Sequence, residues 1–384
     1  MKNSKIWSNY NPVKVKFGQG SRLEIISVLK NNKCLIVCST RGRSRISNDK
    51  FLFEPLEKSS CIWVDSIEAN PDIQDLQKLI IELTGLKIDV VVAIGGGSVI
   101  DTAKILALAL SNAATGISLE TLIESGARYE SGVGLPLYAL PTSAGTGSEV
   151  TPFATIWDHS SKKKLSLAGP AMYPQYAFVD SELTYSLTEE VTLSSGLDAI
   201  NQALESIWNK NMTPATELLA QRSLVLSLEA LPKLINNLRD KKARDAMSEA
   251  SLLAGLAISH TKTALCHAIS YPLTLNFGVH HGFACAFTMT EVLRHCLIKD
   301  DGRLRRLALT LGCNNISYKQ ELIDIFKNLN LMAKVNENIK KKVGAFDDLL
   351  ELADEMNMPG RSENTIVPIN KSEIANLLRR AWEA

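Results

Sequence analysis

The pattern of apolar and polar positions divides the chain into two textures. In the first half, short apolar runs without polar alternation recur at Lys33–Cys38 (KCLIVC), Cys61–Val64 (CIWV), Asp89–Ile94 (DVVVAI) and Leu137–Leu140 (LYAL). Runs of this kind, separated by helical stretches, mark strands of a parallel sheet covered on both faces. The spacing predicts a helix over 72–86 and another opening near Val99. From about Leu183 the strand signal ends. Apolar residues then recur at three- and four-residue spacing in 217–234, 243–259, 319–329 and 374–382, a helical pattern. The expected fold is an α/β, Rossmann-like domain over 1–182 with a parallel sheet, followed by an all-α domain over 183–384. No internal repeat, low-complexity tract or long linker separates them, so the halves are expected to meet tightly across a cleft.

Composition narrows the function classes. The 384 residues are 45% apolar and 22% charged, with 42 Lys and Arg against 41 Asp and Glu, a net charge of +1. That balance provides no field for nucleic acid or for an acidic membrane surface. No apolar run approaches the ~20 residues of a membrane span, and the first twenty residues carry no secretory apolar block. Seven cysteines (34, 38, 61, 266, 285, 296, 313) form no CxxC pair. A disulfide scaffold or zinc ribbon is therefore not expected, and a reducing cytoplasm is.

Two glycine-bearing loops carry candidate chemistry. Ile94-Gly95-Gly96-Gly97-Ser98-Val99-Ile100-Asp101-Thr102-Ala103-Lys104 follows a strand and opens a helix. Glycines there let backbone N–H groups approach a phosphate, and the helix N-terminus adds donors and positive dipole. The spacing is not GxGxxG, and taken alone the loop reads equally well as a plain turn. Pro141–Glu149 (PTSAGTGSE) follows the next strand and is dense in hydroxyls. Two such loops at neighbouring strand ends favour a nucleotide site. It would be lined by Gly95, Gly96, Gly97, Ser98 and Asp101 from the first loop and Thr142, Ser143, Thr146 and Ser148 from the second.

Six histidines exist, and two of them, His267 and His281, lie in a largely apolar stretch. A lone histidine there would be a hydrogen-bonded core residue, but two with a carboxylate are a candidate metal set. Asp198 is the carboxylate candidate, and Gln202, four residues on, shares its helix face.

In this order, these segments resemble the iron-containing (group III) alcohol dehydrogenases along nearly the whole chain. The matching pieces are Phe17-Gly18-Gln19-Gly20, Asn70-Pro71, GGGSVIDTAK (95–104), PTSAGTGSEVT (141–151), the Asp198 helix and His267 to His281. The resemblance implies hydride transfer between NADPH or NADH and a carbonyl, with a divalent metal, Fe2+ or alternatively Zn2+. Asp198, His267 and His281 match three of the family's ligands. Gln202 stands where the family has histidine, and an amide oxygen is a weaker ligand for a late divalent metal. Tyr271 stands where many members carry a histidine near the nicotinamide. It reads as a proton relay or as an aromatic lining the pocket. Ser39 stands where NAD-preferring members place an aspartate, and Arg41, Arg43 and Arg45 follow it. Loss of the acid beside arginines favours a 2′-phosphate, hence NADPH. Lys164 matches a position that in the family faces the cofactor.

The stretches Leu204–Asn209 and Cys266–Thr274 look like the branch that reduces phosphonoacetaldehyde to 2-hydroxyethylphosphonate. The implied substrate is a small aldehyde or alcohol, here a phosphonate, with Lys210, Lys262 or Lys164 as candidate cations for its charge. The implied assembly is a homodimer or larger homo-oligomer. Catalysis would use Asp198, His267, His281 and Gln202 to hold the metal and Tyr271 or water to deliver the proton. A lyase resembling dehydroquinate synthase and a metal-free binding protein are the alternative readings.

Overall fold

The computed structural model describes residues 6–30, 32–59, 61–111, 116–125, 129–130, 132–329 and 331–384. The first five residues, part of the segment read as lacking a secretory signal, lie outside that range. The chain divides into two compact units, Pro12–Leu187, and Thr188–Ala384 together with the segment ending at Asn11. Tyr10 attaches to the second unit through its backbone N–H, which donates to His260 Nε2 (2.9 Å).

The first unit holds strands β1 (Lys14–Phe17), β2 (Cys34–Val37), β3 (Cys61–Val64), β4 (Val90–Gly95), β5 (Leu137–Pro141), β6 (Phe153–Asp158), β7 (Lys163–Ala168) and β8 (Tyr176–Val179). Its helices are α1 (Ile25–Leu29), α2 (Thr40–Asn48), α3 (Lys50–Lys58), α4 (Ile73–Leu83), α5 (Gly97–Ala109) and α6 (Leu119–Ser125). Six strands form a parallel sheet in the order β1-β8-β5-β4-β2-β3, and β6 and β7 form a separate antiparallel hairpin. β2 and β4 are buried along their whole length, which is why their sequences are continuous apolar runs. Successive residues feed opposite cores. Leu35, Val37, Val91 and Ala93 join a cluster with α4 and α5, while Cys34, Ile36, Val90 and Val92 join one with α1 and α3. The helix expected over 72–86 starts where Asp72 Oδ1 accepts from Gln74 N (2.8 Å). It stops at Leu83, two residues before Gly85 at φ 85°.

The second unit is helical: α7 (Glu189–Ile207), α8 (Pro214–Asn236), α9 (Lys241–Thr261), α10 (Leu265–Phe277), α11 (His281–Ile298), α12 (Arg303–Thr310), α13 (Tyr318–Lys327), α14 (Met332–Val343), α15 (Phe346–Glu351) and α16 (Lys371–Glu383). Thr213 caps α8 in a reciprocal box with Thr216, and Asn370 does the same for α16 with Glu373. No described helix is long and apolar enough to cross a membrane. α7 lies at the centre of the unit, and it buries Asp198, Asn201, Gln202 and Glu205 together with its leucines. Buried polar groups on a central helix must be paired or engaged with a ligand.

Candidate metal centre and nucleotide loops

The polar residues of α7 converge with α10 and α11. Gly282 makes the approach possible: a Cβ there would lie 1.8 Å from Ser194 O on α7. One helical turn beyond Ser194, Asp198 Oδ1 lies 3.4 Å from His267 Nε2. The other ring nitrogen, His267 Nδ1, is 2.8 Å from Glu205 Oε2. Glu205 also accepts the backbone N–H groups of Ala264 (2.6 Å) and His267 (3.1 Å), so it caps α10 as it orients the ring. With Nδ1–H facing a carboxylate, Nε2 is the ring nitrogen turned to the cluster, where it would meet a metal in place of its proton.

His281, at the start of α11, is oriented in the same way. Ser270 Oγ donates to His267 O (2.8 Å) and lies 3.3 Å from His281 Nδ1. A hydroxyl already donating to a carbonyl accepts from Nδ1–H, which leaves Nε2 turned to the cluster. Cys285, one turn along α11, sets its Sγ 3.8 Å from His281 Nε2. Asp198, His267, His281 and Cys285 each offer a donor atom, all within 4.8 Å of one another. A tetrahedral ion with ligands ~2.0–2.3 Å away sets its donors about 3.4–3.8 Å apart, so this set fits a divalent metal. Gln202 is buried beside it, its side chain hydrogen-bonded to Asp198.

The charged groups of the cluster shift one another. Burial alone would raise the Asp198 carboxyl, but His267, His281 and the Gln202 amide hold it below the usual carboxylate range. Burial opposes protonation of His267, yet Cys285, Glu205 and Asp198 hold its affinity for a proton well above a free histidine's. Burial pushes the Cys285 thiol up, and the two histidines outweigh it and bring it down to about 7. A thiol near neutrality beside imidazoles is disposed to be a thiolate.

Tyr271 borders the cluster. Its ring stacks on His281 (centroids 5.8 Å apart, 7° between planes). Its hydroxyl accepts from Arg361 Nη1 (2.9 Å), which also donates to Thr263 Oγ1 (2.7 Å). Lys210 and Lys262, singled out from the sequence as anion holders, are exposed. Lys262 sits at φ 63° in the turn between α9 and α10, its carbonyl accepting from Asn209 Nδ2 (3.1 Å). Lys164 lies in the other unit, on β7, with Nζ 5.9 Å from the Trp157 ring centroid. The guanidinium that borders the cluster, Arg361, carries no local sequence signal.

The α/β unit brings the two expected loops together. β2 pairs with β3 on one side and β4 on the other, so the winding reverses between their carboxyl ends, where such sheets bind ligands. Gly96 caps α5 without a side-chain hydrogen bond. A Cβ on Gly97 would lie 2.7 Å from Thr146 Cγ2, and one on Gly96 would lie 3.1 Å from Ser143 Oγ. Thr142 N donates to Gly95 O (3.0 Å), tying the loops at their roots. Ser98 Oγ accepts from Asn70 N (3.2 Å). Asp101 and Ser148 bond to each other (2.5 Å), and Asp101 Oδ2 accepts from Thr155 N (2.8 Å). Asp101 therefore ties both Ser148 and β6 to the start of α5. Ser39 caps α2, its Oγ accepting from Gly42 N (3.0 Å). Arg41 is exposed in the first turn, and Arg43 stacks on Trp63 (3.4 Å to the ring centroid).

Two family models cover the chain: iron-containing alcohol dehydrogenase over residues 12–181, and the C-terminal domain of the Fe-containing alcohol dehydrogenase family over 192–382. The chain belongs to the iron-containing alcohol dehydrogenase family. It is 38% identical over 216 residues to phosphonoacetaldehyde reductase of Streptomyces viridochromogenes, covering 56% of this chain and 55% of that one. The chain thus spans about half the length of that relative. Sulfoacetaldehyde reductase of Bilophila wadsworthia is 31% identical over 286 residues, 73% of this chain and 72% of the relative. Among solved structures, the NAD+ complex of sulfoacetaldehyde reductase from Bifidobacterium kashiwanohense covers 99% of this chain and 100% of its own. It has a TM-score of 0.85 at 26% identity. An iron-containing alcohol dehydrogenase from Thermotoga maritima covers the same shares with a TM-score of 0.81 at 28% identity. The family comprises alcohol dehydrogenases and aldehyde reductases, oxidoreductases acting on CH–OH groups with NAD(P)H and iron.

Proposed function

We propose that the protein is a metal-dependent NAD(P)H reductase of a small aldehyde carrying an anionic group, with phosphonoacetaldehyde the preferred substrate and 2-hydroxyethylphosphonate the product. The observation that carries this reading is the donor set of buried Asp198 and His267 with half-buried His281, bordered by the Tyr271–Arg361 pair. Asp198, His267 and His281 would hold the metal, which when bound supplies Lewis-acid polarisation of a carbonyl. The nucleotide, when bound, would supply the hydride for the carbonyl carbon and be oxidised as the aldehyde is reduced, and a proton would be added at the carbonyl oxygen. Tyr271, which stacks on His281 and accepts from Arg361, would pass that proton.

Arg361 supplies the cation that a phosphonate or sulfonate requires. Its forked donors suit a tetrahedral oxyanion, and the two reductases above act, by name, on such aldehydes. The glycine loops, with Thr142, Ser143 and Thr146, would hold the pyrophosphate. Ser39, with Arg41 two residues on, favours NADPH, since no carboxylate there repels a 2′-phosphate. Seven unbridged cysteines suit a reducing cytoplasm. The homo-oligomer implied by the resemblance is checked by light scattering.

The deciding experiment follows NADPH oxidation at 340 nm with phosphonoacetaldehyde, sulfoacetaldehyde and acetaldehyde at equal concentration. The anionic aldehydes should lead by about tenfold or more in kcat/KM. Arg361→Met should erase most of that lead, because a charge-assisted contact is worth about 1.5–3 kcal/mol. Equal rates on all three would remove the substrate assignment and leave the family intact.

A further inference from the structure

We propose that Cys285 is a metal ligand, joining Asp198, His267 and His281 in one centre. The inference rests on the metal-dependent reading of this site and deepens it.

Four observations carry it. Cys285 and His281 lie one turn apart on the same face of α11, so both reach one point without any change of backbone. Cys285 Sγ lies 3.8 Å from His281 Nε2 and 3.9 Å from Nδ1, Asp198 Oδ1 lies 3.4 Å from His267 Nε2, and the four donor atoms all fall within 4.8 Å of one another. The turn that carries Cys285 is fixed from α7, where Asn201 Nδ2 donates to Cys285 O (3.1 Å). Finally, the Gln202 amide is a hydrogen-bond partner of the Asp198 carboxylate, which it serves through its NH2 group, and so helps to hold that carboxylate in the cluster.

The chemistry has a consequence for the metal itself. Asp and two His alone form a site suited to many divalent ions, whereas a thiolate makes the set softer. The centre should therefore prefer zinc or cobalt over ferrous iron more strongly than an all-oxygen-and-nitrogen site would. A buried thiol among apolar neighbours reads in sequence as core. Its distance from the two imidazoles is what distinguishes it.

The test titrates Co2+ into the metal-stripped full-length protein and records the ultraviolet–visible spectrum. The expected result is one Co2+ per chain with an intense near-ultraviolet thiolate-to-cobalt band beside the visible d–d bands. Cys285→Ser should lose the near-ultraviolet band, keep d–d absorption and bind Co2+ at least about tenfold more weakly. Gln202→Leu should keep the thiolate band. Stoichiometric Co2+ binding without that band in the native protein, or a band that survives in Cys285→Ser, overturns the proposal and leaves the metal-dependent reading standing. No Co2+ binding at all overturns both.

Discussion

Glu205 grips His267 at two points: its Oε2 lies 2.8 Å from Nδ1, and its Oε1 accepts the residue's own N–H at 3.1 Å. The same carboxylate accepts from Ala264 N, so one fully buried acid on α7 fixes both the start of α10 and the ring it presents. Glu205→Gln keeps the shape but offers a neutral acceptor and a competing donor. Metal affinity should fall about 10–100-fold, as is usual when a carboxylate supporting a ligating histidine is altered. Competitive titration against a chromophoric chelator measures this. An unchanged affinity would mean that His267 is not a ligand.

The approach of α7 to α11 makes a separate prediction. A Cβ on Gly282 would lie 1.8 Å from Ser194 O and 2.6 Å from Ser194 C, both backbone atoms that cannot rotate away. Gly282→Ala must part the helices that carry Asp198 and His281. The expected cost is about 3 kcal/mol or more, read as a lower urea midpoint, and bound metal should fall with it. Native stability in this variant would show that the helices cross farther apart.

Much of this arrangement was legible in the sequence. β2, β4 and β5 stand out because each lies between two cores, so every position is apolar. The β6–β7 hairpin does not, since Lys163, Lys164 and Ser166 leave β7 partly exposed and no apolar run forms. Asp198, His267 and His281 are visible as residue types that are costly to bury. Glu205 is visible only through its helical spacing, seven residues from Asp198 and thus on the same face. Cys285 is disguised by its neighbours in FACAF, although its i, i+4 relation to His281 is a signal that can be read. Arg361 meets Tyr271 across 90 positions of sequence. Only the packing of the helical unit brings them together.

Ser39 tests the cofactor preference without disturbing the fold. Its hydroxyl caps α2 by accepting from Gly42 N, and aspartate performs that role equally well. Ser39→Asp should therefore melt within about 0.5 kcal/mol of the native protein. The new carboxylate would repel a 2′-phosphate and accept ribose hydroxyls. The ratio of kcat/KM for NADH to that for NADPH should rise about tenfold or more, equivalent to about 1.4 kcal/mol. A ratio unmoved by the substitution would place the adenosine ribose away from the β2 terminus.

A last prediction concerns pH and the buried pair beneath the second glycine loop. Lys104 donates to Thr151 O (2.9 Å), Thr151 Oγ1 (3.2 Å) and Phe153 O (2.8 Å), anchoring the chain that carries Glu149. Burial raises the Glu149 carboxyl from 4.5 to about 7, against the pull of its own backbone N–H and of Lys104. Between those values the folded protein keeps a proton that the unfolded chain has lost. Unfolding releases it, so rising pH favours unfolding across that window and Glu149 makes stability fall from pH 4.5 to about 7. Lys104, lowered by burial to about 8, acts in the opposite sense above that pH, where the unfolded chain holds the extra proton up to 10.5. Glu149→Gln removes the first effect while keeping size and polarity. The difference between native and variant urea-unfolding free energies should therefore slope downward with pH only below about 7, by at most about 3 kcal/mol. A difference that stays flat from pH 4.5 to 7 would mean that Glu149 is ionised in the folded protein throughout, stabilised by Lys104 against its burial.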